Sequence, residues 1–431
     1  MAVEKTIKVA LAGCGTVGSG VADIVVHRGD ALARRTGLRF EITRALVSNL
    51  HRERTAPLPK EVYTDDPADL ARTDADMLVE VMGGTDTART VVVDALGRGQ
   101  PVVTANKALL ALHGAEVYAA ARTNETCVAF EASCAGGLPI VGALLRGLQA
   151  NQLDTILGIF NSTCNFILSA MLHDGMAYAD AVAEAQRCGY AEADPTLDVS
   201  GGDTAHKLTV LASLAFGLNL DFSQVALSGI DTLRLDDLAI AREMGYACKL
   251  IGVGRRGEGD TVSLLARPML VPHGHPLAAL TGTDSGVWTR GDVVGETFYS
   301  GAGAGSLPTA SAVVADMIEV AGGAAQATFN GLRVYNDLTP SPTYLPADEG
   351  REPYYVRFGF DPAHPAAADD VQKRLRAVSI PVTRVHQSTG YQAVVALTEP
   401  VSGQRIRTGV RMAAGDLHLV DEPVCLPVLA E

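Results

Sequence analysis

Residues 6–18 read Thr-Ile-Lys-Val-Ala-Leu-Ala-Gly-Cys-Gly-Thr-Val-Gly, and this stretch decides the fold. Its first seven residues are rich in β-formers and predict a strand. The apolar spacing from Val17 to Val26 predicts a helix that starts directly after the glycines. A strand, a G-x-G-x-x-G turn and a helix in immediate succession are typical of a dinucleotide-binding unit. The alternative is a glycine-rich β-α turn of some other α/β domain.

Each glycine of the turn has its own physical role in such a unit. Gly13 permits the tight turn, Gly15 lets the backbone approach a pyrophosphate, and Gly18 lets the helix pack closely on the strand. Thr16 and Val17 open the helix, whose first N–H groups favour an anion. We therefore predict that these five residues bind the cofactor.

The following 120 residues alternate between β-rich and helical stretches. Such alternation predicts β-α-β units, and hence an α/β fold with a Rossmann-type doubly wound parallel sheet. The predicted strands beyond the first are residues 40–47, 77–82, 101–104 and 127–130, with a helix over 87–98. From about residue 135 the pattern changes to a mixed α+β texture. Gly301–Gly305 and a helical run over 309–321 are expected to return to the first domain.

The C-terminal part begins after a proline-rich stretch. Residues 339–353 hold four prolines together with Asp348, Glu349 and Gly350, a composition typical of an exposed linker. Beyond it the predicted order is strand, helix, strand, strand, helix, strand in under 80 residues. That order is the βαββαβ pattern of a ferredoxin-like module.

Composition limits the class of partner. The chain has 431 residues, 47% hydrophobic and 19% charged, which suits two or three globular domains. Its net charge of −14 argues against a general nucleic-acid or anionic-membrane binder. Seven scattered cysteines without a C-x-x-C pair indicate reduced thiols, no zinc site and a cytoplasmic location. No signal peptide and no apolar run long enough to cross a membrane are present, so we expect no membrane partner.

The end of the second strand bears on the choice of cofactor. NAD-preferring sites usually carry an acidic residue there, whereas this chain has Val47-Ser48-Asn49 followed by Arg52 and Arg54. These residues favour NADP, with NAD also possible. The alternative is that both arginines are solvated loop charges.

Charged residues cluster between Ala185 and Lys207. Glycines and Pro195 interrupt helix formation there, and the stretch holds Glu192, Asp194, Asp198, Asp203 and Lys207. Asp203 and Lys207 lie four residues apart at the start of a helical run and share one face. Asp203 and Lys207 form either an ordinary surface ion pair or part of a site that transfers a proton and binds an amino-acid substrate.

This stretch resembles the signature of homoserine dehydrogenases, with Gly-Tyr-Ala at 189–191, Asp194-Pro195, Asp198-Val199, Asp203 and Lys207. Other segments are also similar to that family, and together they span about residues 5–335: Met82–Thr85, Thr104–Leu109, Phe130–Pro139, Asn161–Phe166 and Gly301–Ala310. The chain resembles the monofunctional type, since no aspartate kinase region precedes these segments.

The resemblance implies NAD(P)-dependent interconversion of L-homoserine and L-aspartate 4-semialdehyde, in the biosynthesis of threonine, methionine and isoleucine. It makes Lys207 the general acid and Asp203 its helper, with Lys107 near the nicotinamide as a second candidate for proton transfer and a substrate contact. Glu192 and Asp198 would bind the substrate. The alternative function is another Rossmann-fold NAD(P)-dependent oxidoreductase acting on a small amino-acid aldehyde.

Further cofactor and cation contacts follow from the same resemblance. Thr85 and Gly303 would contact the cofactor. A bound Na⁺ or K⁺ would be held by the Glu131 carboxylate and by backbone carbonyls of the loop that follows, namely those of Cys134, Gly136 and Leu138. The alternative is that this glycine-rich loop merely caps the strand.

The sequence patterns and the resemblance together predict four segments, each with its own role. Residues 1–134 form the NAD(P)-binding domain, residues 135–338 the substrate-binding, catalytic and dimerisation domain, 339–353 a linker, and 354–431 an ACT-like regulatory domain. The last resembles an ACT domain, which in relatives binds amino acids such as threonine. Here Asp361-Pro362-Ala363-His364-Pro365 replaces the usual Asp-x-Pro-Gly turn. The alternatives for this module are therefore a dimerisation element, a site for a different effector, or a domain that has lost feedback control. The protein is expected to be a homodimer or a higher homo-oligomer.

Overall fold

A computed structural model describes residues 5–336, 339–361, 363–364, 367–388, 390–415 and 417–430. Two compact units emerge from it. Unit 1 comprises Met1–Ile156, His206–Gln224 and Ser285–Pro342, and unit 2 comprises Leu157–Ala205, Val225–Asp284 and Thr343–Glu431.

Strands and helices alternate along the described residues. The strands are β1 (Lys5–Ala12), β2 (Leu38–Leu46), β3 (Tyr63–Thr64), β4 (Met77–Glu80), β5 (Val102–Thr104), β6 (Val128–Ala129), β7 (Leu153–Ile159), β8 (Ala226–Leu227), β9 (Tyr246–Arg256), β10 (Thr261–Pro272), β11 (Asp284–Gly291), β12 (Gly295–Ala302), β13 (Thr343–Tyr344), β14 (Arg351–Glu352), β15 (Tyr354–Gly359), β16 (Val382–Ser388), β17 (Ala393–Thr398), β18 (Val401–Ser402) and β19 (Val424–Pro427). The α-helices are α1 (Thr16–His27), α2 (Gly29–Thr36), α3 (Pro67–Arg72), α4 (Asp86–Gly97), α5 (Lys107–Thr123), α6 (Ile140–Gly142), α7 (Ser162–Asp174), α8 (Tyr178–Arg187), α9 (Thr196–Val199), α10 (Gly202–Phe216), α11 (Leu235–Glu243), α12 (Ser306–Ala321), α13 (Ala324–Gly331), α14 (Ala368–Ala377) and α15 (Gly403–Ala414).

Unit 1 is built on a six-stranded sheet of order β3-β2-β1-β4-β5-β6. Every neighbouring pair in it is parallel, which confirms the predicted doubly wound parallel sheet. The strand order reverses between β1 and β4, since β2 and β3 are added on one side of β1 and β4 to β6 on the other. Ligands of open α/β sheets bind at the carboxyl ends of the strands next to such a reversal. The glycine turn after β1 and the Gly83-Gly84 turn after β4 both lie at this edge.

Helix α12 packs against α1 within unit 1. Gly20 makes the contact close, since a Cβ there would lie 2.7 Å from Ser306 Oγ and 3.0 Å from Ala310 Cβ. Ser306 Oγ also donates a hydrogen bond to the carbonyl of Thr16 (2.7 Å). The start of α1 is therefore held by an element nearly 300 residues later in the chain.

Unit 2 contains a long antiparallel hairpin of β9 and β10. Its pairing runs from Tyr246, opposite Pro272, to Arg256, opposite Val262. The strand β13 joins β10 in parallel, and β8 pairs with it over two residues. The aromatic ring of Phe160 lies over Gly252, where a Cβ would come within 2.6 Å of the ring. A side chain at position 252 would therefore displace this ring.

The C-terminal residues of unit 2 form an antiparallel sheet of order β16-β17-β15-β19, with α14 and α15 in the connections. The predicted βαββαβ order of elements is confirmed. In the turn after β15, Asp361 Oδ1 accepts a hydrogen bond from the backbone of Ala363 (2.8 Å). Pro362 and Pro365 of the same turn lie outside the described residues.

This sheet is buried on both faces. Tyr355, Val395 and Leu397 face a core that includes Ile167 and Leu238 of helices α7 and α11. On the other face, a second core contains Val356, Phe358, Val394 and Ala396 together with side chains of α14 and α15. The two-residue alternation of a strand places successive side chains in different cores.

The stretch 339–353 is more structured than the composition predicts. Its Thr343–Tyr344 pairs with β10, and its Arg351–Glu352 pairs with β18. Glu352 is buried, and its carboxylate accepts hydrogen bonds from Arg267 (2.5 Å) and from the Tyr354 hydroxyl (3.0 Å). Backbone groups of this extended segment find partners on strand edges, which a free linker would leave to water.

Two predictions from the sequence concern the state of the cysteines and membrane-spanning helices. All seven cysteines are free thiols. Among the described residues, no helix combines the length and the apolar character needed to cross a membrane.

Candidate functional site

The glycine turn after β1 has the geometry that the sequence predicts. Gly13 has φ +101°, and a Cβ there would lie 2.8 Å from the backbone of Met82. A Cβ on Gly18 would lie 2.1 Å from the carbonyl oxygen of Gly13, so only glycine lets α1 approach the turn. Gly15, in contrast, has no atom within 4 Å of its Cβ position. It is the N-cap of α1 and supplies no side-chain cap, so space and N–H groups remain for a phosphate.

The loop after β2 carries the residues that would meet the ribose. Arg52 is exposed there, whereas Arg54 donates to the carbonyls of Arg52 (2.7 Å) and Asn49 (2.5 Å) and lies 5.2 Å from the ring of Tyr63. Arg54 therefore braces the loop. Arg52 is the arginine of this pair that projects from it.

The ends of β4 and β5 are joined by a buried acid. Glu80 accepts hydrogen bonds from the Met82 backbone (2.8 Å) and from the Thr104 hydroxyl (2.6 Å). Burial raises the pKa of this carboxyl, which these hydrogen bonds oppose. Asn106 donates to the Gly84 carbonyl (2.7 Å) and caps α5 by accepting from the Leu109 N–H (3.0 Å). These contacts shape the turn before Thr85.

Two predicted site residues lie at the starts of the helices that follow β4 and β5. Thr85 precedes α4 as its N-cap residue, and Lys107 is the first residue of α5. Lys107 is half-buried. Both lie at the carboxyl edge of the parallel sheet, where the sequence predicts the cofactor.

The loop after β6 is held by two buried carboxylates. Asp316 on α12 accepts a hydrogen bond from the backbone N–H of Glu131 (2.8 Å). The Glu131 carboxylate in turn accepts from the N–H groups of Val141 (2.8 Å) and Gly142 (2.7 Å). Burial raises the pKa of both carboxyl groups. The predicted cation ligand thus also serves as a cap for the short helix α6.

The carbonyl-bearing part of this loop adopts an unusual backbone. Ala135 and Gly136 follow one another with φ +55° and +58°, and the alanine pays a steric cost that such conformations impose. Gly136 lies against the backbone of Gly303, with its Cβ position 2.6 Å from the Gly303 carbonyl. The Sγ of Cys134 lies 3.9 Å from the Lys207 carbonyl. One loop thus contacts the predicted cofactor residue Gly303 and the helix of Lys207.

Three lone pairs of the predicted cation ligands already accept hydrogen bonds. The carbonyl of Leu138 accepts a hydrogen bond from Ile140 N–H (2.9 Å), and the Glu131 oxygens accept from backbone N–H groups as described above. Each of these oxygens keeps a further lone pair. These oxygens can therefore still bind a monovalent cation.

The acidic cluster in unit 2 is arranged by Asn161, which the sequence did not single out. Its side-chain nitrogen donates to Asp198 Oδ1 (2.7 Å) and to Asp203 Oδ2 (2.8 Å). Asp203 is buried and Asp198 half-buried. An Asn directly before a helical run is a typical N-cap signal, but its reach to acids 37 and 42 residues away has no sequence signature.

Glu192 differs from these two acids in its exposure. It is exposed, and its backbone carbonyl accepts a hydrogen bond from Gln186 Nε2 (3.1 Å). Asp203 and Lys207 lie one turn apart on α10, as the four-residue spacing predicts. The structure therefore brings Asp198 and Asp203 together and leaves Glu192 at the surface.

Two family models match the chain. One is described as the NAD-binding domain of homoserine dehydrogenase and covers residues 13–131. The other is described as homoserine dehydrogenase and covers residues 139–318.

Individual proteins agree with these models. A homoserine dehydrogenase of Neisseria gonorrhoeae is 43% identical over 358 residues, 82% of each chain. One of Pseudomonas aeruginosa is 38% identical over 420 residues, 94% of this chain and 95% of its own. The crystal structure of a homoserine dehydrogenase from Thiobacillus denitrificans superposes with a TM-score of 0.88 at 36% identity, over 99% of this chain and 98% of the other.

Proposed function

The chain belongs to the homoserine dehydrogenase family, and we propose that it reduces L-aspartate 4-semialdehyde to L-homoserine with NADPH, reversibly, in the biosynthesis of threonine, methionine and isoleucine. One observation carries the assignment of roles. Asp203 is buried, its carboxylate is fixed by Asn161, and Lys207 follows it by one turn of the same helix. A fixed carboxylate beside a half-buried lysine suits proton transfer.

When bound, the nicotinamide of NADPH would supply the hydride in the reductive direction. Lys207 donates a proton to the carbonyl oxygen of the substrate as negative charge develops there, and it accepts that proton in the reverse reaction. Asp203 orients the lysine. Lys107, at the start of α5, lies on the nicotinamide side and contacts the substrate, with a second ammonium available for proton transfer.

Recognition of the substrate rests on its α-ammonium group. We assign this group to the carboxylates of Glu192 and Asp198, since charge-assisted hydrogen bonds suit a zwitterionic amino acid. Asp198 is already directed by Asn161. Glu192 is exposed and would reach the substrate from the rim.

An NADPH oxidation assay with aspartate semialdehyde tests this function. We expect wild-type turnover and a loss of kcat of about 10²- to 10⁴-fold in Lys207→Ala, the usual contribution of a general acid. NADPH affinity, followed by its fluorescence, should change little. The matched control is Lys60→Ala, which removes an exposed lysine outside the site. A Lys207→Ala enzyme as active as the control would refute the role of Lys207.

Preference for NADP over NAD rests on Arg52. The exposed guanidinium would pair with the ribose 2′-phosphate, which NADH lacks. We expect a higher kcat/KM with NADPH than with NADH, and a fall of about tenfold or more in that ratio for Arg52→Ala. Arg98→Ala, which removes an exposed arginine after α4, is the control. Equal kcat/KM values for the two cofactors in the wild type would contradict this assignment.

We also propose that the loop after β6 holds Na⁺ or K⁺ through Glu131, Cys134, Gly136 and Leu138. The consecutive left-handed residues Ala135 and Gly136 support a loop built to direct carbonyls. Activity of desalted enzyme titrated with NaCl, KCl and tetramethylammonium chloride separates a specific ion from ionic strength.

We assign residues 1–134 to cofactor binding, 135–338 to substrate binding and dimerisation, and 354–431 to an ACT-like regulatory domain joined through 339–353. Asp337, Leu338 and Glu431, at the bounds of these segments, lie outside the described residues. Support for an effector comes from a cavity of about 1010 Å³ in unit 2, within the size range of small-molecule sites. Arg267, Arg357, Arg407 and Arg411 line it together with apolar side chains of α15 and β19. Three of these arginines already form ion pairs, with Glu352, Asp237 and Asp348. We therefore assign the carboxylate of an amino-acid effector to Arg411, and inhibition by L-threonine tests this assignment.

The remaining assignments concern assembly and location. We propose a homodimer, supported by the exposure along β12 and the exposed apolar side chains of Val293, Val294 and Phe298. Light scattering of the purified protein measures the assembly. A cytoplasmic location is supported by the seven free thiols.

A further inference from the structure

The first turn of α7 holds the acidic segment of unit 2 at several points. Thr163 Oγ1 donates to the carbonyl of Tyr190 (2.7 Å), and the Cys164 Sγ lies 3.3 Å from the carbonyl of Asp198. The ring of Phe166 packs on that of Tyr190, with centroids 4.9 Å apart. These contacts hold the segment from Tyr190 to Asp203 against helix α7.

Asn161 makes the contact that reaches the carboxylates themselves. Its two N–H bonds go to Asp198 and Asp203, and its oxygen accepts from the backbone N–H of Cys164 (2.7 Å). Only one orientation of the amide satisfies all three partners, because the nitrogen alone can donate to both acids. With 3% of its surface exposed, the side chain is locked in place.

The bridge has an electrostatic consequence. Two carboxylate oxygens, each within 2.8 Å of one nitrogen, are brought close enough to repel each other. A neutral group that donates to both offsets this repulsion without neutralising either charge. A lysine in its place would form an ion pair with the acids and compete with a cationic substrate group for them.

We propose that Asn161 is a positioning residue of the reaction, whose amide sets the direction and separation of the Asp198 and Asp203 carboxylates. This inference rests on the proposed function for what those acids do. Asp198 then presents its second oxygen to the α-ammonium group, and Asp203 stays fixed beside the turn that carries Lys207. Asn161 itself touches neither substrate nor cofactor.

The test uses the full-length enzyme and variants that keep the helix cap. Asn161→Ser and Asn161→Asp both retain an oxygen for the Cys164 N–H, since Ser and Asp are good N-caps. Asp has no donor for the acids, and Ser has a single hydroxyl on a shorter side chain, so neither variant can bridge Asp198 and Asp203. We expect kcat/KM for aspartate semialdehyde to fall about 100-fold, the scale of a 1 Å misplacement, while the Kd for NADPH stays within about twofold.

A double variant separates positioning from a general structural effect. If Asn161 acts through Asp198, kcat/KM of the Asn161→Ser/Asp198→Asn enzyme should be about equal to that of whichever single variant, Asn161→Ser or Asp198→Asn, is less active. Multiplied losses would overturn the proposal, and so would an Asn161→Ser enzyme within threefold of wild type. Asp66→Ala, which removes the side-chain cap of α3, is the control: it should lower the Tm and leave kcat/KM unchanged.

The same four proteins give a readout that does not need turnover. Urea unfolding of the wild type, Asn161→Ser, Asp198→Asn and the double variant measures whether residues 161 and 198 interact. Additive effects on unfolding would show that no bridge exists and would overturn the inference. Absence of wild-type turnover, with non-additive unfolding, would instead refute the proposed reaction and leave the bridge standing.

Discussion

Lys249 shows how far a single side chain can depart from its usual chemistry. It lies in β9 with 5% of its surface exposed, and its ammonium donates to two neutral acceptors, Asn165 Oδ1 (3.0 Å) and the carbonyl of Leu280 (2.5 Å). Burial lowers the pKa of this lysine to about 8. The charged form is therefore costly inside the folded protein.

That pKa makes stability depend on pH in a defined direction. Between pH 8 and about 10.5 the native lysine has lost its proton while the unfolded one still binds it, so rising pH favours the native state. The free energy of unfolding of the wild type, relative to that of Lys249→Met, should rise by up to about 3 kcal/mol across this window. Urea unfolding at pH 7.5 and 9.5 should show about 2 kcal/mol of this rise, since pH 9.5 lies about 1.5 units above the native pKa. Lys60→Met, at the surface, should show no such trend.

The residues that the sequence identified and those it missed differ in a physical way. The positive φ of Gly13 and the close approach of Gly18 to the Gly13 carbonyl are both local to the turn, so the motif predicts them. Asn161 acts on side chains 37 and 42 residues away, and Asp316 on a backbone N–H 185 residues away. Local patterns carry no record of such contacts.

At the level of elements, the turn between β1 and α1 separates folding from binding. A Cβ on Gly18 would strike the carbonyl of Gly13 at 2.1 Å, whereas one on Gly15 would meet no protein atom within 4 Å. The packing of α1 against the turn thus requires glycine at position 18. For Gly15, we propose that the requirement comes from the pyrophosphate of the cofactor.

We therefore expect Gly15→Ala and Gly18→Ala to fail in different ways. Gly15→Ala should keep the Tm within about 2 °C of wild type and weaken NADPH binding about tenfold or more, because the methyl group occupies the space of the pyrophosphate. Gly18→Ala should lower the Tm by several degrees as well, since backbone must shift. Thermal unfolding and NADPH fluorescence titration measure both. A Gly15→Ala protein with unchanged NADPH affinity would contradict this assignment.

The same scale shows which elements can be predicted from sequence. Strand β1 and the βαββαβ order of the C-terminal part follow from local periodicity and punctuation. Strand β9 does not: Lys249, Gly252, Gly254 and two arginines interrupt its pattern, and its length comes from pairing with β10. The buried lysine and the glycine under Phe160 are tertiary requirements, which override strand propensity.

At the scale of the molecule, the C-terminal sheet is an integral part of unit 2. Tyr355, Val395 and Leu426 contribute to one core with α7, α8 and α11. Arg357, with 2% of its surface exposed, forms an ion pair with the fully buried Asp237 of α11 (2.5 Å). A regulatory domain attached through a flexible linker would share neither.

Removal of residues 354–431 should therefore damage the rest of unit 2. The deletion exposes an apolar face and leaves Asp237 buried without its cation, a loss of about 3–5 kcal/mol by itself. We expect an insoluble protein, or a Tm lower by more than about 10 °C. Differential scanning calorimetry and sedimentation of the truncated chain measure these outcomes. A soluble truncated protein with an unchanged Tm would show that the sheet is a separate domain.

The discontinuity of unit 1 has a consequence for synthesis on the ribosome. The face of α1 around Gly20 is covered by Ser306 and Ala310 of α12, which leave the ribosome almost 300 residues later. Domains fold as their residues emerge, at about 5–20 residues per second. The nucleotide-binding half must therefore wait, partly uncovered, for tens of seconds until its last helix arrives, and during that interval it is a natural client for chaperones.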